Sequence, residues 1–223
     1  MTITAPAPSP TSAVAPHVQL RLLGGFELRI DGAVVDLQPA VKRLTALVAL
    51  TPCGLSRDFA AFQLWPDKSE ARARANLRST LWRLHQLAGD ILHASATHLR
   101  LDDSVSLDTR DVLAGADAED GVPRPFETLM ADLLPDWYDE WIDVERERFR
   151  QLRLARLEQR AHAALADRDA ATAIQLALAA LAIDATRESA HRIVVRAHQA
   201  EGNEWEAERE RSRYLRSQQE VVA

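Results

Sequence analysis

The chain has 223 residues, 47% of them hydrophobic, which is enough apolar surface for one or two packed domains. A single cysteine, Cys53, excludes a disulfide framework and a cysteine-rich zinc site, fits a reducing cytoplasm, and reads as a small buried residue. The net charge of −6 argues against nucleic acid when taken whole, yet residues 17–112 hold 12 Lys/Arg against 11 Asp/Glu and residues 113–223 hold 15 against 22.

The first 16 residues, MTITAPAPSPTSAVAP, lack the basic start and apolar core of a signal peptide and read as a disordered lead-in. No apolar run reaches the length of a membrane span, so a cytoplasmic protein with no membrane partner is expected. Residues 17–23 and 26–30 alternate as short strands. Asp31-Gly32 is a hairpin turn signal, and residues 34–37 follow as a third strand. After Pro39 the period becomes helical, with Leu44, Leu47 and Val48 on one face and a stop near Pro52 and Gly54. Ser56 caps a second helix through Leu64, with Phe59, Phe62 and Trp65 as expected core contacts.

The stretch 69–89, SEARARANLRSTLWRLHQLAG, is the most informative. As a helix it lines up Ala73, Leu77, Leu81, Leu84 and Ala88, with Ser69 as N-cap and Gly89 as stop. The other side carries Arg72, Asn76, Ser79, Trp82, Arg83 and Gln86, with Arg74 and Arg78 along one flank. Between Lys68 and Gln86 there are five basic residues and one acid, Glu70. Arginine pairs with guanine and asparagine with adenine, and further arginines neutralise phosphates, so this helix has the chemistry of a major-groove reader. Its arginines are equally the ordinary equipment of a solvated surface helix. Residues 91–107 return to strand character, with a polar tip around residues 95–98. The order is strands, helix, helix, basic helix, hairpin, which is that of a winged helix-turn-helix.

Residues 113–134 read as a linker, GADAEDGVPRPFETLMADLL within it, with a short helix over 126–133. Residues 137–167 read as one long amphipathic helix whose apolar contacts include Trp137, Trp141, Val144, Phe149, Leu152, Ala155 and Leu157. The Glu-Arg run in VERERFR is a solvated face laced by i,i+4 pairs. Ala163, Ala166, Asp169 and Ala173 recur 34 residues later as Ala197, Ala200, Asn203 and Ala207. That is the tetratricopeptide period, with Asp169 and Asn203 placed as N-caps and Glu206 completing a capping-box pair.

Two resemblances cover about residues 18–210 together. ALVALTPCGLSRDFAAFQLWPD followed by ARANLRSTLWRL resembles the OmpR-type winged helix of the Streptomyces antibiotic regulatory proteins. LLPDWYDEWIDVERERFRQLRLARLE and ALAALAIDATRESAHRIVVRAHQAEGN resemble the bacterial transcriptional activator domain that follows it in that family. The expected fold is an α+β winged helix over 17–112, a linker over 113–134 and an all-α tetratricopeptide-like domain over 135–223.

The resemblance implies an activator that binds direct repeats in promoter DNA and recruits RNA polymerase, as a homodimer or as tandem protomers. It implies that Ser79 and Arg83 face bases while Arg72, Asn76 and Arg78 reach bases or phosphates. Trp82 departs from the more basic run of many relatives, and stacks on the sugar–phosphate backbone or packs on a neighbouring loop. His98 and Arg100 on the hairpin are candidates for minor-groove or phosphate contacts, or plain solvated strand residues. After Gly202-Asn203 the last helix is more charged than the family pattern, which weakens the expectation of dimerisation through it. No receiver domain precedes the winged helix and no ATPase follows, so neither form of switching is expected of this sequence. A repressor using the same groove contacts, or a tetratricopeptide adaptor that binds protein alone, are the alternatives. No Walker A loop, G-x-S-x-G, H-E-x-x-H or dinucleotide fingerprint occurs, and no ligand set forms around His191 and His198. Neither an enzyme nor a cofactor or metal site is expected.

Overall fold

The structure, a computed structural model, describes residues 16–114 and 130–222. The lead-in up to residue 15, the middle of the expected linker and most of its short helix lie outside the described residues. The chain divides into two units: one holds the chain up to residue 20 and 27–106, the other 21–26 and everything from 107 onward. The second unit therefore begins at Leu107, earlier than the expected linker, and claims a six-residue piece of the N-terminal strand region.

In the first unit, β1 (Val18–Arg21), β2 (Glu27–Ile30) and β3 (Ala33–Val34) form the expected small sheet, with β2 between the other two. Asp31 and Gly32 both have positive φ, 50° and 81°, as a type I′ turn requires of its two central residues. The register that follows places Arg29 opposite Val34 and Ile30 opposite Ala33. Helix α1 (Pro39–Ala49) opens on a proline, whose missing N–H would find no intrahelical partner there, and buries Val41, Leu44, Leu47 and Val48. Strand β4 (Leu55–Ser56) leads into α2 (Arg57–Leu64), where the Ser56 hydroxyl accepts the Phe59 N–H at 3.1 Å. The basic stretch is α3 (Glu70–Ala88), followed by β5 (Leu92–Ala94) and β6 (His98–Leu101). β6 is the centre of an antiparallel β4–β6–β5 sheet, with Leu55 and Ala94 both opposite Leu99. Gly54 has no substitute there: its φ is +73°, and a Cβ would stand 2.6 Å from the Leu99 carbonyl oxygen.

Three expectations fail in this unit. α2 buries Ala60, Ala61 and Leu64, so Phe59 and Phe62 face outward, 49% and 66% exposed. Cys53 is exposed rather than buried. Leu81 is only half-buried, and Thr80 takes the deep position by giving its hydroxyl proton to the Asn76 carbonyl at 2.8 Å.

In the second unit α4 (Asp108–Ala114) is headed by Asp108. Its buried carboxylate accepts the N–H groups of Leu22, Leu23 and Thr109, at 2.9, 2.9 and 2.8 Å for the shortest of each. Burial raises its pKa above the usual carboxylate range, against the pull of those three donors. Leu23 also bridges Leu133, and Gly24 donates to the Asp132 carbonyl at 2.8 Å. Leu133 and Leu134, expected in the linker, are buried core. Then come α5 (Glu140–Ala166), α6 (Ala170–Ile183), α7 (Glu188–Ala200) and α8 (Glu204–Val222), each packed on the next.

α5 begins at Glu140 rather than at Trp137, and it buries Trp141, Ile142, Phe149, Arg153, Leu154 and Leu157. Val144, Leu152 and Ala155 are exposed, because the buried ladder passes them by. Of the recurring alanines, Ala173, Ala197 and Ala207 are fully buried; Ala163, Ala166 and Ala200 are exposed, and Ala161 and Ala164 occupy the crossing instead. Asp169 caps α6 by accepting the Thr172 N–H at 3.0 Å. The Asn203 side chain bonds Glu201 at 3.0 Å. α7 and α8 are joined by a buried His191–Glu210 hydrogen bond of 2.6 Å, with the other ring nitrogen 3.0 Å from the Ala185 carbonyl. Among the described residues no helix is long and apolar enough to cross a membrane.

Candidate nucleic-acid interface

The orientation of α3 follows from what it buries. Ala73, Leu77, Thr80, Leu84 and Ala88 face α1 and α2. At 100° per residue this leaves Ala75, Ser79, Trp82 and Gln86 along the line farthest from the core. Arg72 and Arg83 flank that line on one side and Arg78 on the other, and all three are exposed. Ser69 takes the N-cap position without a side-chain cap bond, and Gly89 ends the helix at φ 67°.

The expected site residues separate into two groups. Arg72 and Arg78 have no ion-pair partner among the described residues, and Ser79 and Trp82 are open, Trp82 being 64% exposed. Arg83 donates to the Gln38 side chain at 3.1 Å, which leans it toward the N-terminus of α1. Arg74 differs. It lies between Asp58 at 2.7 Å and Glu70 at 2.8 Å, and its hydrogen bond holds the Asp58 carboxyl below the usual range. Asn76 is half-buried.

On the hairpin, His98 is exposed, with its ring nitrogen 2.9 Å from the Thr97 hydroxyl. One guanidinium nitrogen of Arg100 donates to both carboxylate oxygens of Asp103, at 2.8 and 2.9 Å, so its charge is already matched. The hairpin turn is pinned to α2 by Arg57, whose guanidinium donates to the Ser95 carbonyl at 2.8 Å and whose N–H donates to the Thr97 carbonyl at 2.8 Å. Arg57 was not among the expected site residues, and nothing in its sequence context marks it out. Lys68, just before α3, is a further exposed cation. The outward Phe62 joins Trp65, Lys68 and Arg74 around a cavity of about 350 Å³ between α2 and the start of α3.

The sequence matches no protein-family profile, and no curated protein matches it. Among solved structures it matches Mycobacterium tuberculosis EmbR in complex with a low-affinity phosphopeptide, with a TM-score of 0.68. The two share a fold. The match covers 89% of this chain and 59% of EmbR at 19% identity, so the chain spans about three fifths of EmbR's length.

Proposed function

We propose that the chain is a sequence-specific transcriptional regulator of the Streptomyces antibiotic regulatory protein type. In this reading the first unit is an OmpR-type winged helix that lays α3 in the major groove of promoter direct repeats. The helical unit is a tetratricopeptide-like activator domain that recruits RNA polymerase. One observation carries the reading. Arg72, Arg78 and Arg83 stand exposed on the outward side of one helix, and no carboxylate among the described residues is paired with any of them. Long-lived burial of their charge awaits an anion from outside, and duplex phosphates supply it. The fold shared with EmbR is compatible with the same reading.

The residue roles change from those of the sequence expectation. Arg72 and Arg78 meet phosphates, Ser79 faces bases, and Arg83 reaches the groove from beside α1. Arg74 locks α2 to α3 through Asp58 and leaves the DNA to its neighbours. Asn76 is a half-buried support. Arg100 stays with Asp103, while His98 and Arg57 border the hairpin tip.

The test is a pull-down of sheared genomic DNA by the purified chain, followed by sequencing. Enrichment of a short motif repeated about one helical turn apart is the expected result. Arg83→Ala should then cost roughly 1–3 kcal/mol on that motif and relax its sequence. A flat profile that vanishes at moderate salt would overturn the proposal in favour of a protein adaptor, the reading that the near-neutral charge of residues 17–112 favours. Run-off transcription from an enriched promoter separates activation, the expected outcome, from repression.

A further inference from the structure

We propose that Trp82 reads a thymine methyl group and so sets a specificity of the α3 face; this rests on the DNA reading above. The outward line of α3 is Ala75, Ser79, Trp82 and Gln86, and only one of these side chains is both large and apolar. Trp82 is 64% exposed, an unusual cost for an indole in the middle of a helix that has a buried face available for it. Its position explains why it stays outside. Thr80 and Leu84 on either side take the inward-facing places, and Trp82 lies nearly half a turn from both.

What covers the indole is indicated by the charges around it. Arg78 lies one turn before it and Arg83 beside it, and neither is ion-paired among the described residues. A surface that meets Trp82 therefore also meets guanidinium groups on both flanks, and a duplex groove lined by two phosphate backbones has that charge pattern. Inside the major groove the bases offer one apolar feature, the C5-methyl of thymine, and apolar side chains recognise it by contact. Ser79 and Gln86 bracket Trp82 on the same line and bring hydroxyl and amide groups to neighbouring base edges. The indole has one N–H donor and no acceptor, so shape and the methyl group, rather than a paired hydrogen-bond pattern, carry its discrimination.

The experiment uses a genomic site enriched by the full chain, resynthesised with each thymine in turn replaced by deoxyuridine, which removes the methyl alone. Affinities are measured by fluorescence anisotropy for the native chain, Trp82→Ala and Trp82→Phe. Trp82 is exposed, so both variants are expected to keep the native circular dichroism spectrum. One uracil position should weaken the native chain about fourfold, the worth of a single buried methyl group. The same position should make no difference to Trp82→Ala, and Trp82→Phe should keep part of the effect. Specific binding that is indifferent to every uracil substitution overturns this proposal while leaving the DNA reading intact. Equal uracil sensitivity in Trp82→Ala also overturns it, because another residue then holds the methyl. Absence of any sequence-specific binding overturns both.

Discussion

Arginine is put to opposite uses on the packing faces of the helical unit and on the outward side of α3. In the helical unit Arg187 bonds Glu158 at 2.8 Å, Arg150 holds Glu147 at 2.9 Å and Asp184 at 3.4 Å, and Arg146 spans Asp143 and the Leu133, Leu134 and Trp137 carbonyls. Arg153 goes further and is buried, donating to the Ala131 carbonyl at 2.9 Å and reaching Asp132 at 3.4 Å. These guanidiniums tie one segment of the helical unit to another. On the outward side of α3 the same side chain has nothing acidic to hold. Counting basic residues would have ranked the helical unit, with more of them, as the nucleic-acid binder. Several unmatched charges gathered on one helix face, rather than the amount of charge, distinguish a surface prepared for an external anion.

The contrast is testable from both ends. The largest effect expected is on Arg153→Ala, which removes a buried, bonded side chain packed over Phe149, its guanidinium carbon 5.6 Å from the ring centre. Unfolding in guanidinium chloride should show a loss of about 3 kcal/mol, with duplex affinity of the folded protein unchanged. Arg78→Ala should do the reverse. Its unfolding curve should overlay the native one within about 0.5 kcal/mol, while duplex affinity at low salt falls roughly tenfold and the salt slope drops by about one. If the slope stays constant, Arg78 is solvated and the contrast fails. Arg74→Ala belongs with the structural arginines despite its place on α3: its thermal midpoint should fall by about 2 °C with the salt slope preserved.

The smallest effect is expected at Glu147, whose carboxyl is pushed down to about 2, first by the Arg150 hydrogen bond and then by Gln151. A depressed acid stabilises the fold above its unfolded value of about 4.5 and loses that contribution as pH falls toward 2. Glu147→Gln should therefore flatten the acid limb of a pH–stability curve in that window. An unchanged limb would show that the exposed pair carries no linkage.

The backbone plan was largely legible, because each boundary rested on a local chemical cause. The Asp31-Gly32 turn, the Ser56 and Asp169 caps and the Gly89 stop lie where the sequence places them. Burial was less legible where two apolar sets compete for one helix. In α2 both Ala60, Ala61, Leu64 and Phe59, Phe62 are compatible with a helical period, and the helix buries the first set. In α5 a polar residue, Arg153, sits in the buried ladder, and Leu152 does not, since helical phase outranks residue type. For the candidate site, α3 and its outward arginines were readable from period alone. The capture of Arg74 by Asp58 was not, because the two are 16 residues apart in sequence and meet only once α2 and α3 have packed.

The assignment of residues 21–26 to the second unit has a practical consequence for dissecting the protein. A fragment ending at Ser106 would contain Leu22, Leu23 and Gly24 but would lack Asp108 and Asp132, the acceptors of their N–H groups. Three backbone donors would be orphaned together with the apolar side chains of Leu22 and Leu23, and the stub would be a sticky, aggregation-prone edge. The two units are interleaved along the gene, so neither can be lifted out by one cut. A binding assay on such a fragment would report on a damaged molecule.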